Sequence, residues 1–476
     1  MEEFNKYAAL ANTIKIEDIT SNELNREILY KLKNNDESFD KIFIMGDSSG
    51  DDDDYIPDEG EDLGWLGYYI SNNTNLLELQ FYRTIENESF YKEISHNKSI
   101  NKVFFYANNN RLDGNIFRMM SPFFKSNNNL NEIEVDECDL RVEDSRQLSL
   151  AIGGCNKSLK NIHISHSTMG IGQLVNIVTA LSMHPQLETL ELSWMDIGIN
   201  ECTALSTLLR CTTTQLQKLD LRGNNIDDDG SIEVLVHGLS NGNNILQELN
   251  LGYNRSITNT GWKAVATLLE IPGSKLETLN IANNNMGNDG ALVFANALKN
   301  NSTIKTLLLS GSGITSEGWA PFSKLLCDIS SVNKTYLSNH TLETIHGMPR
   351  GHDSDINANL GVNRGSSGDK EFIAMAKILH VHNHFNMQPF FEWEFKVLPL
   401  MIDWFEKADS FNYNIVEEKT KRMKLAAFYD FIKEFPMLYV EPMTRKEISE
   451  YIAMEEELQE QLKEIRQRKA HALRRL

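Results

Sequence analysis

Three stretches of this chain hold residues of the types that do chemistry, and their spacing limits what each can do. His380, His382 and His384 alternate, and on a helix His380 and His384 share a face. A zinc ion needs further ligands, yet no cysteine lies near them and there is no HExxH motif. A role at a helix end or on the surface is the simpler reading. Asp51, Asp52, Asp53 and Asp54 form a carboxylate run without the alternating spacing and closing glutamate of a calcium loop, and read as a solvated, flexible loop. His352-Asp353-Ser354-Asp355 is likewise short of a full ligand set. Gly365-Ser366-Ser367-Gly368-Asp369-Lys370 is glycine-rich, but its lysine does not follow the glycine and no strand precedes it, as a phosphate-binding loop requires. No base is brought to a nucleophile at a recognisable spacing. The expectation is a chain with no catalytic group, no cofactor and no metal.

Recognition is a different chemistry, and it needs exposed aromatic rings flanked by charge. The chain offers Phe104 and Tyr106 beside Lys102, then Glu132, Glu134, Asp136 and Glu137. Asn161, His163 and His166 follow, and after them Glu191 and Trp194. Next come Lys218, Asp220 and Arg222, then Glu248 and Tyr253. Further on, the equivalent residues are small and neutral: Thr278, Asn280, Ala282, Thr306 and Ser310.

What makes these residues equivalent is a repeat. The pattern Lxx[L/I/V]x[L/I/V]xxN is clearest from Leu216 to Asn224, Leu246 to Asn254 and Leu276 to Asn284. Other copies start at Ile100, Leu130, Leu159, Leu187, Ile304 and Val332, at intervals of 28 to 30 residues. Leu76, Leu79 and Phe81 fit an earlier, looser copy, and Phe39, Ile42 and Ile44 another. Apolar positions 4 and 6 alternate with polar 5 and 7, the period of a strand buried on one face. The asparagine at position 9 can bond backbone groups where the chain leaves the strand. Cys138, Ser167, Met195, Ser312 and His340 hold that place in five copies, and Met195 and His340 imply local irregularity. Amphipathic helical stretches follow Gly230, Gly261, Gly290 and Gly318.

A strand plus a helix in each unit, as in Leu276 to Lys299 with its Asn284-Asn285-Met286-Gly287-Asn288-Asp289-Gly290 turn, resembles the ribonuclease-inhibitor class of leucine-rich repeats. The resemblance covers Phe39 to Leu342. It implies an α/β solenoid of ten to eleven repeats over residues 39–345, with helical caps. Strands about 4.8 Å apart beside helices needing about 10 Å force a curve, with strands inside and helices outside. Positions 3, 5, 7 and 8 then face the hollow of the horseshoe. The candidate binding site is an aromatic anchor beside an acidic strip: Phe104, Tyr106, Glu132, Glu134, Asp136, Glu191, Trp194, Asp220, Arg222 and Tyr253.

Flanking segments are read differently. Residues 1–38 hold Leu24, Ile28 and Leu32 on one helical face and are expected to cap the first repeat. An acidic insertion occupies 47–61. Residues 346–368 are rich in Gly, Asp, Asn and Ser and read as an irregular loop. Residues 369–440 read as a helical cap: a helix to His384 with Phe372, Met375, Ala376 and Leu379 on one face, an aromatic stretch from Phe390 to Phe405, and a helix from Glu417 to Phe435. This block, with the insertion ahead of Leu63-Gly64-Trp65-Leu66-Gly67-Tyr68, also resembles repeat proteins numerous in diatoms. Residues 441–476 read as a charged helix whose Ile448, Tyr451, Glu455, Leu458, Leu462, Ile465, Lys469 and Ala472 follow coiled-coil steps with two polar interruptions, either solvated or engaged in self-association or partner binding.

Composition narrows the partner. A net charge of −21 argues against nucleic acid and favours a basic protein. No run of eighteen apolar residues crosses a membrane, and no secretory signal is legible in Met1 to Lys15. Five scattered cysteines (Cys138, Cys155, Cys202, Cys211 and Cys327) read as reduced thiols, which fits the cytoplasm or the nucleus. The expected function is a non-catalytic scaffold or adaptor that binds a protein on its concave face. The alternative is a regulator of an enzyme, of the inhibitor or GTPase-activating type.

Overall fold

The computed structural model describes residues 2–382 except 47–53, 59–61, 84, 86, 171, 212, 228–229, 243–244, 349–353 and 366–369. The chain forms two compact units, one of residues 1–322 and 344–352, the other of 323–343 and the described residues after 352.

In the first unit the alternating apolar positions become a parallel sheet. Its first strands are β1 (Lys41–Met45), β2 (Glu78–Tyr82), β3 (Lys102–Arg111), β4 (Glu132–Leu140) and β5 (Asn161–Ser165). After the short β6 (Thr168–Met169) come β7 (Thr189–Ser193), β8 (Lys218–Asp220) and β9 (Glu248–Asn250). The last are β10 (Thr278–Asn280), β11 (Thr306–Leu308) and β12 (Thr344–His346). Except for β6, which pairs with β4, each strand pairs with the next in chain order. Position 4 stays in register throughout: Ile133 lies opposite Ile162, Leu190 opposite Leu219, and Leu249 between Leu219 and Leu279. These side chains are buried under a layer of helices. The unit is a leucine-rich-repeat horseshoe, curved because helices need more room than strands.

Position 9 supplies the predicted ladder. The Asn224 side-chain amide donates to the carbonyls of Leu192 and Leu221 at 2.8 and 2.9 Å, and Asn254 and Asn284 repeat this one turn on. Ser312 Oγ donates to Ile281 O, and Ser167 Oγ accepts the Cys138 N–H. Met195 has no side-chain donor. Its N–H donates to Asn224 Oδ1 at 2.8 Å, so the neighbouring asparagine closes that turn.

Four expectations need correction. In the repeat starting at Ile100, Asn108 and Asn109 are extra residues with φ of 49° and 59°, and pairing slips between Tyr106 and Asn110. Asn110, not Asn108, donates to the Ala107 carbonyl. The copy read from Val332 is no repeat: Val332–Tyr336 is a helix capped by Ser331, with Leu337 64% exposed. Its spacing imitates the pattern, but only Thr335 of that stretch is buried. Among the described residues the last strand is β12, with Ile345 opposite Leu307, so its repeat begins at Leu342 and His340 is no ladder residue. The stretch 346–368 is not irregular throughout, because Ser354–Arg364 is helical and buries Ile356 and Leu360 one turn apart. Its polar composition hid that spacing. Of the acidic insertion, residues 54–58 are described, and they make ordered contacts. Tyr55 is buried, donates its N–H to Phe43 O and accepts from Met45 N, covering the open edge of β1. Asn25 exchanges two hydrogen bonds with Ile56, and the Tyr55 hydroxyl donates to Asp62 at 3.0 Å. Asp51, Asp52 and Asp53 lie outside the described residues.

The N-terminal helix Glu23–Lys33 is capped by Asn22 and buries Ile28, Leu29 and Leu32. In the second unit the helix Lys370–Val381 buries Ile373, Ala374 and Lys377. The Lys377 ammonium donates to Leu326 O and Asn339 O and to Nδ1 of His340, whose Nε2–H is given to Tyr336 O. Burial holds Lys377 down at about 7. The side chains of Phe372, Met375, Ala376 and Leu379 and the segments expected from Phe390 to Leu476 lie outside the described residues.

Candidate binding face of the sheet

Parallel strands about 4.8 Å apart bring equivalent positions of successive repeats within reach of one another. Like charges in one column therefore need opposite charges between them. Lys102 meets that need, with Nζ 3.0 Å from Glu132, 2.9 Å from Glu134 and 3.7 Å from Glu78. Burial alone would lower its pKa, but the hydrogen bonds to Glu134 and Glu132 outweigh it and raise the value. Asp136 accepts from the Ser165 hydroxyl at 2.7 Å. Glu137 accepts from Tyr106, whose phenol is pushed up to about 12 mainly by that bond.

Glu191 is the second centre. Its carboxylate takes His163 Nδ1 at 3.1 Å, Ser193 Oγ at 2.8 Å and Arg222 Nη2 at 2.9 Å. The His163 bond leads in holding it down to about 2. Burial lowers the His163 pKa, but Glu191 together with Glu132 and Glu134 more than compensates and raises it. Asp220, raised by burial, accepts from Asn250 at 2.8 Å and lies 3.6 Å from Arg222. The expected acidic strip is thus a paired network in which carboxylates outnumber cations. Glu132, Glu134 and Glu191 each already hold a cation of this chain. A hollow of about 340 Å³ opens over His163, Glu191, Asp220, Asn250 and Leu308.

The aromatic residues separate into two groups. Tyr106 stacks on Phe104 at 6.1 Å and leans on Tyr82 at 5.7 Å, and both predicted rings are half-buried. Trp194 lies between His166 at 5.6 Å and Tyr253 at 5.4 Å, with Trp194 41% and Tyr253 40% exposed. This second group shares an unusual backbone. Arg83, Glu137, His166, Trp194, Gly223, Tyr253, Asn283 and Gly311 all occupy position 8, and all have φ between 48° and 68°. In each of these eight repeats the chain turns at position 8 through a left-handed residue, a conformation that costs a bulky side chain about 1–3 kcal/mol. Gly223 lacks a side chain for a visible reason, since a β-carbon there would lie 2.2 Å from the Trp194 ring. The open slot lets Trp194 extend over one repeat toward Tyr253.

Sequence reasoning identified Trp194 and Tyr253 but missed Gly223 and the central place of Lys102. Reading position 8 down the repeats as one column would have exposed the first. Other candidates go elsewhere: His382 bonds the Thr335 hydroxyl at 2.8 Å. Among the described residues, no group of three or more His, Cys, Asp or Glu is arranged to hold a metal ion, and no helix is long and apolar enough to cross a membrane.

Known proteins resemble this chain over part of its length. A leucine-rich-repeat family model matches residues 214–233, 242–266 and 274–295. Mouse ribonuclease inhibitor is 26% identical over 217 residues, 44% of this chain and 45% of the relative. The pig ribonuclease inhibitor is 25% identical over 213 residues. Mouse NACHT, LRR and PYD domains-containing protein 12 is 26% identical over 216 residues, 45% of this chain and 20% of the relative. The matches span less than half the length of each of these relatives. An internalin from Listeria monocytogenes aligns with 70% of this chain and 98% of its own, at 15% identity and a TM-score of 0.29.

Proposed function

We propose that this chain, a leucine-rich-repeat protein of the ribonuclease-inhibitor-like class, is a non-catalytic scaffold or adaptor that grips a basic protein on the open face of its sheet. The observation that carries the reading is the exposed His166–Trp194–Tyr253 stack, held in left-handed backbone beside Glu191 and Asp220. Strained, exposed rings next to surplus carboxylate have the composition of a binding hot spot. The surplus favours a cationic partner and speeds its encounter. All five cysteines are free thiols and four are buried, which supports the cytoplasm or nucleus as the place of work.

Affinity capture with the full chain, followed by titration of whatever protein it retains, is the test. The double variant Trp194→Ala with Tyr253→Ala is expected to lose at least about tenfold in affinity. Phe104→Ala with Tyr106→Ala is expected to lose less, because those rings are half-buried. Undiminished binding by the first variant would remove the site. The likeness to ribonuclease inhibitors favours one second reading, a regulator of an enzyme. Assays of a pancreatic-type ribonuclease and a panel of small GTPases with added protein separate the two readings.

A further inference from the structure

The opposite side of the same unit carries a feature the inner face does not explain. Between the helices Asn115–Met119, Ser121–Ser126, Val142–Gly154 and Gln173–Leu181 the outer layer opens into a groove of about 880 Å³. Phe117 and Ala151 form its buried floor, while Leu150 stands at the rim, 56% exposed. Gly153 and Ala180 lie where the helices Val142–Gly154 and Gln173–Leu181 pack together, a β-carbon on Gly153 coming within 3.5 Å of Ala180 Cβ, so only small residues stand at the bottom of the groove there.

Its charge is the reverse of the chain's. Arg118, Lys125 and Arg146 line the groove, and no aspartate or glutamate does. In a protein of net charge −21 this is a local inversion. Arg146 is paired with Glu143 on its own helix, whereas Lys125 makes no ion pair with any described residue. Charges beyond about 8 Å are screened at physiological salt, so a ligand in the groove answers to Arg118, Lys125 and the Arg146–Glu143 pair, a net positive set, rather than to the distant excess of carboxylate.

We propose that this outer groove docks an acidic amphipathic helix of a partner protein. Its apolar side chains pack on Phe117, Leu150 and Ala151, and its glutamates meet Arg118, Lys125 and Arg146. A trough between helices, with glycine and alanine where they meet, suits the close approach of another helix better than an extended strand, which needs a free sheet edge. The chain then has two docking faces of opposite charge, one on the sheet and one on the helices, as an adaptor requires.

The test uses the full chain and a fluorescein-labelled helical peptide of leucine and glutamate, about 18 residues long, with a lysine-for-glutamate copy as control. Fluorescence anisotropy is expected to show saturable binding of the glutamate peptide, no binding of the lysine peptide, and weakening as salt rises. Gly153→Met fills the groove at a position with room for a side chain, and Arg118→Glu with Lys125→Glu reverses its charge. Each is expected to weaken binding by at least roughly tenfold, with circular dichroism unchanged. Trp194→Ala is expected to leave this binding intact while weakening capture at the inner face, so the two readings fail separately. No binding by the unaltered chain, equal binding of both peptides, or indifference to both groove variants would overturn the proposal. A concentration-dependent dimer in sedimentation velocity, lost in Gly153→Met, would assign the groove to a second copy and overturn it as well.

Discussion

The early and late repeats of this solenoid use the same core and present different faces. From β8 to β11 the strands are three residues long, asparagine or serine holds position 9, and the outward residues of β10 and β11 carry no charge. From β1 to β7, leaving aside the short β6, strands run five to ten residues, two insertions interrupt the pattern, and Cys138 and Met195 replace the asparagine. There the open face carries the Lys102 and Glu191 networks and most of the exposed or half-buried rings. The lesson is that the residues best suited to recognition gather where the repeat departs from its own rule. A late repeat that obeys every requirement of stacking leaves few positions for anything else.

That contrast can be broken or sharpened. The core should not share it, so Phe105→Ala, which empties a fully buried site between Phe81 and Phe117, should cost about 3–5 kcal/mol in chemical denaturation. An equally severe loss is expected from Phe294→Ala in the late repeats, and a mild one there would show that the halves differ inside as well as outside. Next come two glycines of similar φ. Gly223→Ala forces a β-carbon into the Trp194 ring and is expected to cost about 2–4 kcal/mol and shift the tryptophan fluorescence. Gly273→Ala, with open space around it, should cost only about 1 kcal/mol and leave the fluorescence alone. Equal costs would show that Trp194 does not rest in that slot.

The ladder separates the halves more gently. Asn254→Ala removes a buried amide bonded to three carbonyls and should cost about 1–3 kcal/mol, whereas Ser167→Ala should cost nearer 1 kcal/mol. The smallest effect is electrostatic and belongs to the early face. His163 has a raised pKa, so its contribution to stability is full below about 6.5 and is lost as pH climbs through the folded value. Glu191, held to about 2, contributes above about 4.5 and loses that contribution as pH falls toward 2. Proton NMR should place the His163 midpoint above that of a free histidine, and Glu191→Gln should bring it down. A midpoint unmoved by that change would detach His163 from the network.

Much of the solenoid was legible because each repeat buries the same positions, and that regularity appears as a period. Ambiguity arose where composition imitated or concealed it. Val332, Thr335 and Leu337 fall at the strand pattern's spacing yet lie on a helix and its C-terminal cap, and Ile356 and Leu360 pack from a segment too polar to look helical. Of the candidate site, Trp194 and Tyr253 were visible from position alone. The neutralisation of Glu132 and Glu134 by Lys102 was not, because no periodic rule assigns a partner to a flexible charged side chain.

By itself, then, the amino-acid order determined which residues turn inward, since strand alternation and the position-9 amide act within one repeat or between neighbours of fixed spacing. Only the folded arrangement decided which outward residues meet. Lys102 reaches carboxylates on both adjacent strands, and Trp194 crosses Gly223 toward Tyr253 two repeats along. Such encounters depend on a few ångströms of register and on the left-handed turn at position 8, and both are products of stacking.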